Sequence, residues 1–195
     1  MRKLILQMQT SVDGYVAAAN SNFVWQVWDW KDDYTWDDKL AIDFNAVFDS
    51  IDCILLSRKM MEGGYLDHWT QAAKKFPADP RYAFAQKIVD TNKVVLTNKL
   101  DNSKWDRTAL ATGSLVDEID ALKQQPGQDV IAFGGVGFAS SLVAEGLVDE
   151  FQFFVNPTAV AAGRSIFRNR DGTKLRLIRS NSYDCGIVLN RYAPN

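Results

Sequence analysis

The chain has 195 residues, 47% of them hydrophobic, which supplies the core of one domain and excludes a disordered segment. Its 22 basic and 24 acidic residues leave a formal charge of −2, with no long-range attraction to nucleic acid or an anionic membrane. No window approaches the ~20 apolar residues that cross a bilayer. The opening run Met1–Gln7 is also too short for a signal peptide, so a cytoplasmic protein is expected. Cys53 and Cys185, far apart in apolar contexts, read as buried thiols of a reducing compartment. A single histidine, His68, and the lack of CxxC or HExxH argue against a zinc site.

In chain order, residues 3–10 read as a strand and 11–34 as a long loop rich in Asn, Asp and Trp. Trp36, Leu40, Phe44, Val47 and Phe48 fall on one helical face, predicting a helix over 36–49. Residues 51–56 form a short buried strand. A helix starts near Arg58 and ends by Gly63-Gly64. Further elements are a helix over 80–89, strands over 93–97 and 108–112, and a helix from Ser114 to about 124, with Ser114 as its cap. Asp129–Phe133 is a buried strand broken by Gly134-Gly135, and a helix then runs to about Glu145. Glu150–Asn156 is a strand, 157–164 a loop, and 174–183 with 186–192 a terminal antiparallel hairpin. Strands alternating with helices predict a mostly parallel sheet covered on both faces. No linker or repeat is seen, so residues 1–195 read as one domain.

Three strand ends carry candidate chemistry. At Phe133-Gly134-Gly135-Val136-Gly137, a strand ends in glycines and a helix begins at once, so a phosphate could approach the backbone and the free N–H groups of the helix start. The alternative is a tight turn that needs positive φ and binds nothing. Gly135-x-Gly137-x-x-Ser140 is a degraded dinucleotide fingerprint placed too late in the chain for a Rossmann domain. At Ser57-Arg58-Lys59 two cations follow a buried strand. They suit a phosphate, although an Arg-Lys pair is more often a solvated surface pair. Thr97-Asn98-Lys99 ends a third strand with groups that can meet a phosphate or ribose, or simply form a loop.

Asp13-Gly14 is a turn dipeptide, and its carboxylate could instead anchor a substrate or relay a proton. Four of the six tryptophans, Trp25, Trp28, Trp30 and Trp36, follow within a short stretch. They suit a stacked planar substrate, and equally a loop fastened to the core or a protein contact surface.

In order and spacing these segments resemble the dihydrofolate-reductase-like superfamily, and more closely the stand-alone relatives of the reductase domain of riboflavin biosynthesis. The likeness is carried by Ser11-Val12-Asp13-Gly14-Tyr15-Val16-Ala17, Ile54–Arg58, Lys93–Thr97, Phe133-Gly134-Gly135 and Gly146-Leu147-Val148-Asp149-Glu150-Phe151 with Asn156-Pro157. The resemblance implies a three-layer α/β/α fold, a mostly parallel sheet of about eight strands with a C-terminal antiparallel hairpin, NADPH as cofactor and a homodimer. It places Val16 and Ala17 at the nicotinamide and its ribose, and Arg58 and Lys59, next to Ser57, at the adenosine 2′-phosphate. Thr97 and Asn98 would lie beside the adenosine, with Phe133, Gly134, Gly135, Val136 and Gly137 around the pyrophosphate. Ser57 departs from the family's glycine, and Ala161-Ala162-Gly163-Arg164 from a more glycine-rich turn. The family's acid on the first helix has no clean counterpart among Asp37, Asp38 and Asp43.

The expected function is an NADPH-dependent reductase passing a hydride to a small planar heterocycle or carbonyl compound. Asp13 and then Asp43 are the candidates for proton relay, and Trp25, Trp28 and Phe44 for substrate contact. Two rivals are a non-catalytic or regulatory nucleotide-binding protein on the same fold, and an interaction protein using the Trp-rich loop.

Overall fold

The computed structural model describes residues 1–27, 36–168 and 172–195. It is an α/β fold with a mostly parallel eight-stranded sheet, helices on both sides and antiparallel strands at the C-terminal end. The elements are β1 (Leu4–Ser11), β2 (Ala17–Ala18), α1 (Asp38–Val47), β3 (Ile51–Ser57), α2 (Arg58–Glu62), α3 (Tyr65–Lys75), α4 (Ala83–Asp90), β4 (Asn92–Leu96), β5 (Thr108–Ala111), α5 (Leu115–Gln124), β6 (Asp129–Phe133), α6 (Val136–Ala144), β7 (Glu150–Asn156), β8 (Gly163–Arg164), β9 (Leu175–Ser182) and β10 (Val188–Pro194). Two compact units share the chain: Met1–Leu4 with Ala41–Gly135, and Ile5–Leu40 with Val136–Asn195.

The first unit holds β5-β4-β3-β6, all parallel. Leu55 sits opposite Val94 on one side and Ala132 on the other. Ile54, Leu55, Leu56, Val95, Val130, Ile131 and Ala132 are fully buried, the continuous apolar pattern of strands covered on both faces. Helices α3 and α4 supply buried Trp69, Ala72, Phe84, Ala85 and Ile88. The aromatic rings meet edge to face, Phe84 with Phe44 at 4.8 Å and with Trp69 at 5.2 Å between centroids. Helix α3 has no counterpart in the sequence reading, which ends its helix at Gly63-Gly64. Gly63 does close α2, but Gly64, at φ +90°, turns the chain straight into a new helix.

The second unit holds β1-β7-β10-β9. β1 and β7 are parallel, while β10 runs antiparallel to both β7 and β9, so the hairpin is where the sequence places it. One face carries a buried polar ladder. Gln7 Nε2 donates to Gln152 Oε1 (3.1 Å), Gln152 Nε2 donates to Glu150 Oε1 (2.9 Å), and Arg191 Nε donates to the same oxygen (2.7 Å). Each amide and the carboxylate thus finds partners before it is buried, which removes the desolvation cost of leaving them unmet. Cys53 is buried. Cys185 is half-buried rather than fully buried, because it lies in the β9–β10 turn, where its N–H donates to Asp37 Oδ2 (3.1 Å).

In the first unit Lys93 is 1% exposed, and its Nζ donates to the carbonyls of Val89 and Thr91 (both 2.6 Å). The ammonium thereby caps carbonyls left free at the end of α4, where the helix dipole favours a cation. Burial, with Arg107 nearby, pushes its pKa down to about 8 from the ordinary 10.5. The unfolded chain therefore keeps this proton over a range where the folded chain has released it, so folding stability from this group rises with pH between about 8 and 10.5. Urea denaturation is expected to show the stability of the wild type rising relative to that of Lys93→Met across that range.

Candidate functional site

Parallel pairing in register brings the three sequence-predicted strand ends to one edge of the first unit. Ser57 lies opposite Leu96, and Leu56 opposite Phe133. The residues that follow are therefore neighbours along the edge: Arg58 and Lys59 after β3, Thr97 and Asn98 after β4, Gly134 and Gly135 after β6. Carboxyl ends of parallel strands are where open α/β sheets take ligands.

Each end is built by local chemistry. Ser57 is extended (φ −78°, ψ 146°), and its Oγ accepts from Met60 N, so it caps α2 and needs none of glycine's conformational freedom. Arg58 is half-buried and pairs with Glu62 one turn on, whereas Lys59 is exposed. Thr97 N donates to Ala111 O (2.9 Å), and its Oγ1 accepts from Lys99 N (3.1 Å), which turns the chain and leaves Asn98 and Lys99 exposed. The Phe133 ring packs against Phe48 and Tyr65 at 6.5 and 6.0 Å, so only its backbone faces the edge.

The glycines there are not explained by a tight turn. Neither Gly134, Gly135 nor Gly137 has a positive φ. A Cβ built on Gly135 or on Gly137 meets nothing within 4 Å. Neither backbone conformation nor protein packing requires glycine at Gly135 or Gly137. The bare backbone of Gly135, the last residue of the first unit, borders open space.

The Asp13 and Val16–Ala17 segment lies in the second unit. Asp13 accepts from Ser11 Oγ (2.5 Å), from Val160 N (3.1 Å) and from Ala161 N (2.8 Å). These donors, Ser11 first, hold its carboxyl below the ordinary carboxylate range, so it is ionised at neutral pH. The clasp continues through Val12 N to Thr158 O, Val16 N to Arg164 O and the short ribbon of Ala17-Ala18 with Gly163-Arg164. A Cβ on Gly163 would sit 2.2 Å from Ala17 O, so this close approach does require glycine. Ala161, in the turn where the resemblance leads one to expect more glycine, adopts φ +62°. Val16 also lines a cavity of about 230 Å³ with Thr10, Phe153, Ile166, Phe167 and Tyr192.

The remaining candidates are placed as follows. Trp25 is buried, and Trp28 lies outside the described residues. Phe44 is a core ring, packed on Phe48 and Phe84. Asp43 is half-buried on α1. Asp37 is used as a clamp, accepting from Leu40 N (2.8 Å) and Cys185 N (3.1 Å). The sequence reading gives no role to Asn156, which is fully buried and joins three segments. Its Oδ1 accepts from Val27 N (2.8 Å), and its Nδ2 donates to Gln9 Oε1 (2.7 Å) and Phe154 O (3.1 Å). Its place before Pro157 was the only hint of this. Among the described residues no cluster of His, Cys, Asp or Glu is able to hold a metal ion, and no helix is long and apolar enough to cross a membrane.

Two outcomes are expected here. Asp13→Ala should raise the hydrogen-exchange rates of the Val160 and Ala161 amides well above those of the sheet core. Ala161→Gly should raise stability by about 1 kcal/mol in thermal denaturation, because the left-handed strain is relieved.

The uncharacterized protein YyaP of Bacillus subtilis is 24% identical over 188 residues, covering 96% of this chain and 92% of that protein. A putative riboflavin biosynthesis protein from Shewanella superposes with a TM-score of 0.67 at 20% identity, covering 99% of both chains. The riboflavin biosynthesis reductase Rib7 of Saccharomyces cerevisiae does so at 0.59 and 11% identity, over 100% of this chain and 90% of that one. The RibD C-terminal domain description matches residues 2–189, and with that span the chain belongs to the RibD C-terminal domain family.

Proposed function

We propose that this protein is an NADPH-dependent reductase that passes a hydride to a small planar heterocycle or carbonyl compound. Membership of a family whose solved neighbours include a riboflavin biosynthesis reductase supports a reductase of that general type. The observation that carries the cofactor assignment is the edge of the first unit. Gly135 leaves bare backbone beside open space without any conformational or packing need, on the edge where Arg58, Lys59, Thr97 and Asn98 follow their strands.

A pyrophosphate fits that chemistry: main-chain N–H groups at a helix start, with no side chain in the way. Arg58 and Lys59 would meet the 2′-phosphate, Thr97 and Asn98 the adenosine, and Gly134 to Gly137 the pyrophosphate. Val16 and Ala17 are the nicotinamide-side residues that the resemblance implies. The bound cofactor supplies the hydride. The chain's own task is to orient the rings, exclude water and move a proton. Asp13, ionised and held by two amides, orients the loop bearing Val16 and Ala17, and Asp43, on α1, is the second candidate for proton relay. Trp25, with Trp28, is assigned to the substrate side. We further propose a cytoplasmic homodimer, which the free thiols and the exposed Leu177 and Ile178 on β9 support.

One observation favours a second reading, a non-catalytic nucleotide-binding protein on the same fold. Asp13, the first candidate for proton relay, is occupied by the Val160 and Ala161 amides, and Asp37, just before α1, by those of Leu40 and Cys185.

Isothermal titration with NADPH and NADH tests the proposal. NADPH is expected to bind, and more tightly than NADH. Gly135→Ala should leave folding stability within about 0.5 kcal/mol of wild type yet weaken both dinucleotides about tenfold or more, as a methyl group enters the phosphate's approach. Binding of neither dinucleotide by the wild type would overturn the proposal. NADPH binding without turnover toward a panel of cyclic and acyclic carbonyl or imine acceptors would select the second reading.

A further inference from the structure

We infer that Glu62 sets the cofactor preference of the strand-end site by competing with the 2′-phosphate for Arg58. The inference rests on the dinucleotide reading above and concerns a residue which that reading does not use.

Arg58 and Glu62 are the first and last residues of α2, one turn apart, and the guanidinium Nη1 donates to Glu62 Oε2. Both side chains are partly open to solvent, at 24% and 34% exposure, so a ligand can reach the pair. Lys59 makes no ion pair among the described residues and is exposed. The two cations assigned to the 2′-phosphate are therefore not equivalent. Lys59 is available as it stands, whereas Arg58 already has an anion.

The pair has the weaker of the two helix orientations, with the cation N-terminal to the anion, so it opposes the helix dipole and is easily displaced. A phosphate dianion offers Arg58 a bidentate partner that a single carboxylate contact does not match. Binding NADPH thus exchanges one ion pair for another and brings a dianion toward the displaced Glu62 carboxylate. NADH, with a hydroxyl at that position, forces no exchange and meets no such repulsion. Glu62 thereby holds down the preference that Arg58 and Lys59 would otherwise create. No proton or electron changes place in this exchange.

The test is titration calorimetry of the full chain with NADPH and with NADH, using wild type, Glu62→Gln, Glu62→Ala, Arg58→Gln and the double variant Arg58→Gln/Glu62→Gln. Thermal melts confirm that each is folded. Both Glu62 variants are expected to bind NADPH about three- to tenfold more tightly than wild type, with NADH affinity unchanged within about twofold. The gain should be clearly smaller when Arg58→Gln/Glu62→Gln is compared with Arg58→Gln, where only the repulsion is left to relieve. The inference is overturned if wild type binds NADPH and neither Glu62 variant gains, or if the gain is as large without Arg58 as with it. In both cases the dinucleotide reading itself stands. If wild type binds neither dinucleotide, that reading and this inference fall together.

Discussion

The row of strand ends on the first unit depends on one constraint, the in-register parallel pairing of β4, β3 and β6. Parallel strands share a direction, so their carboxyl ends emerge at the same edge. The register then decides which residues stand side by side. With Leu56 opposite Phe133 and Ser57 opposite Leu96, a capped helix start, a hydroxyl-bearing turn and a bare glycine backbone fall in one row. The buried apolar side chains of these strands lock that register. A slip of one residue would exchange the two faces of each strand and unpack the aromatic rings around Phe84.

The second unit solves a different problem, holding long loops in place without regular structure. It does so with short polar side chains that satisfy backbone groups. Asp13 grips the 160–161 turn, Asn156 the start of the Trp-rich segment and Asp37 the β9–β10 turn. Each oxygen takes main-chain N–H groups of a loop or turn. The same hydrogen-bonding capacity is what makes Asp13 a candidate for proton relay in the sequence. The Gln7–Gln152–Glu150–Arg191 ladder shows the principle inside the sheet, where polar side chains are kept only because each completes the next.

Much of this was legible in the chain because it depends on neighbours in sequence. β6 and β7 occupy the residues that their apolar runs marked, and Ser114 caps α5 as its spacing to Asp117 indicates. The spacing of Arg58 and Glu62 was equally open to reading. Helix α3 was not, because Gly63-Gly64 announces a stop, and only the packing of Trp69 on Phe84 shows that a second helix follows. Cys185 looked buried because its neighbours are apolar, yet a turn lifts it toward solvent.

The amino-acid order by itself thus determined most of the element types, though not α3, together with the family resemblance and the strand ends that carry glycines and cations. These follow from periodicity, capping and turn chemistry, all short-range. Only the tertiary structure decided which strand ends are neighbours, that the glycines are not there for φ or packing, and that Arg58 already has a partner while Lys59 stands open. It also decided that Asp13 and Asp37 hold loops. The physical reason is that register, burial and hydrogen-bond satisfaction are set between residues distant in the chain. No local pattern can state whether a donor or an acceptor has already been met.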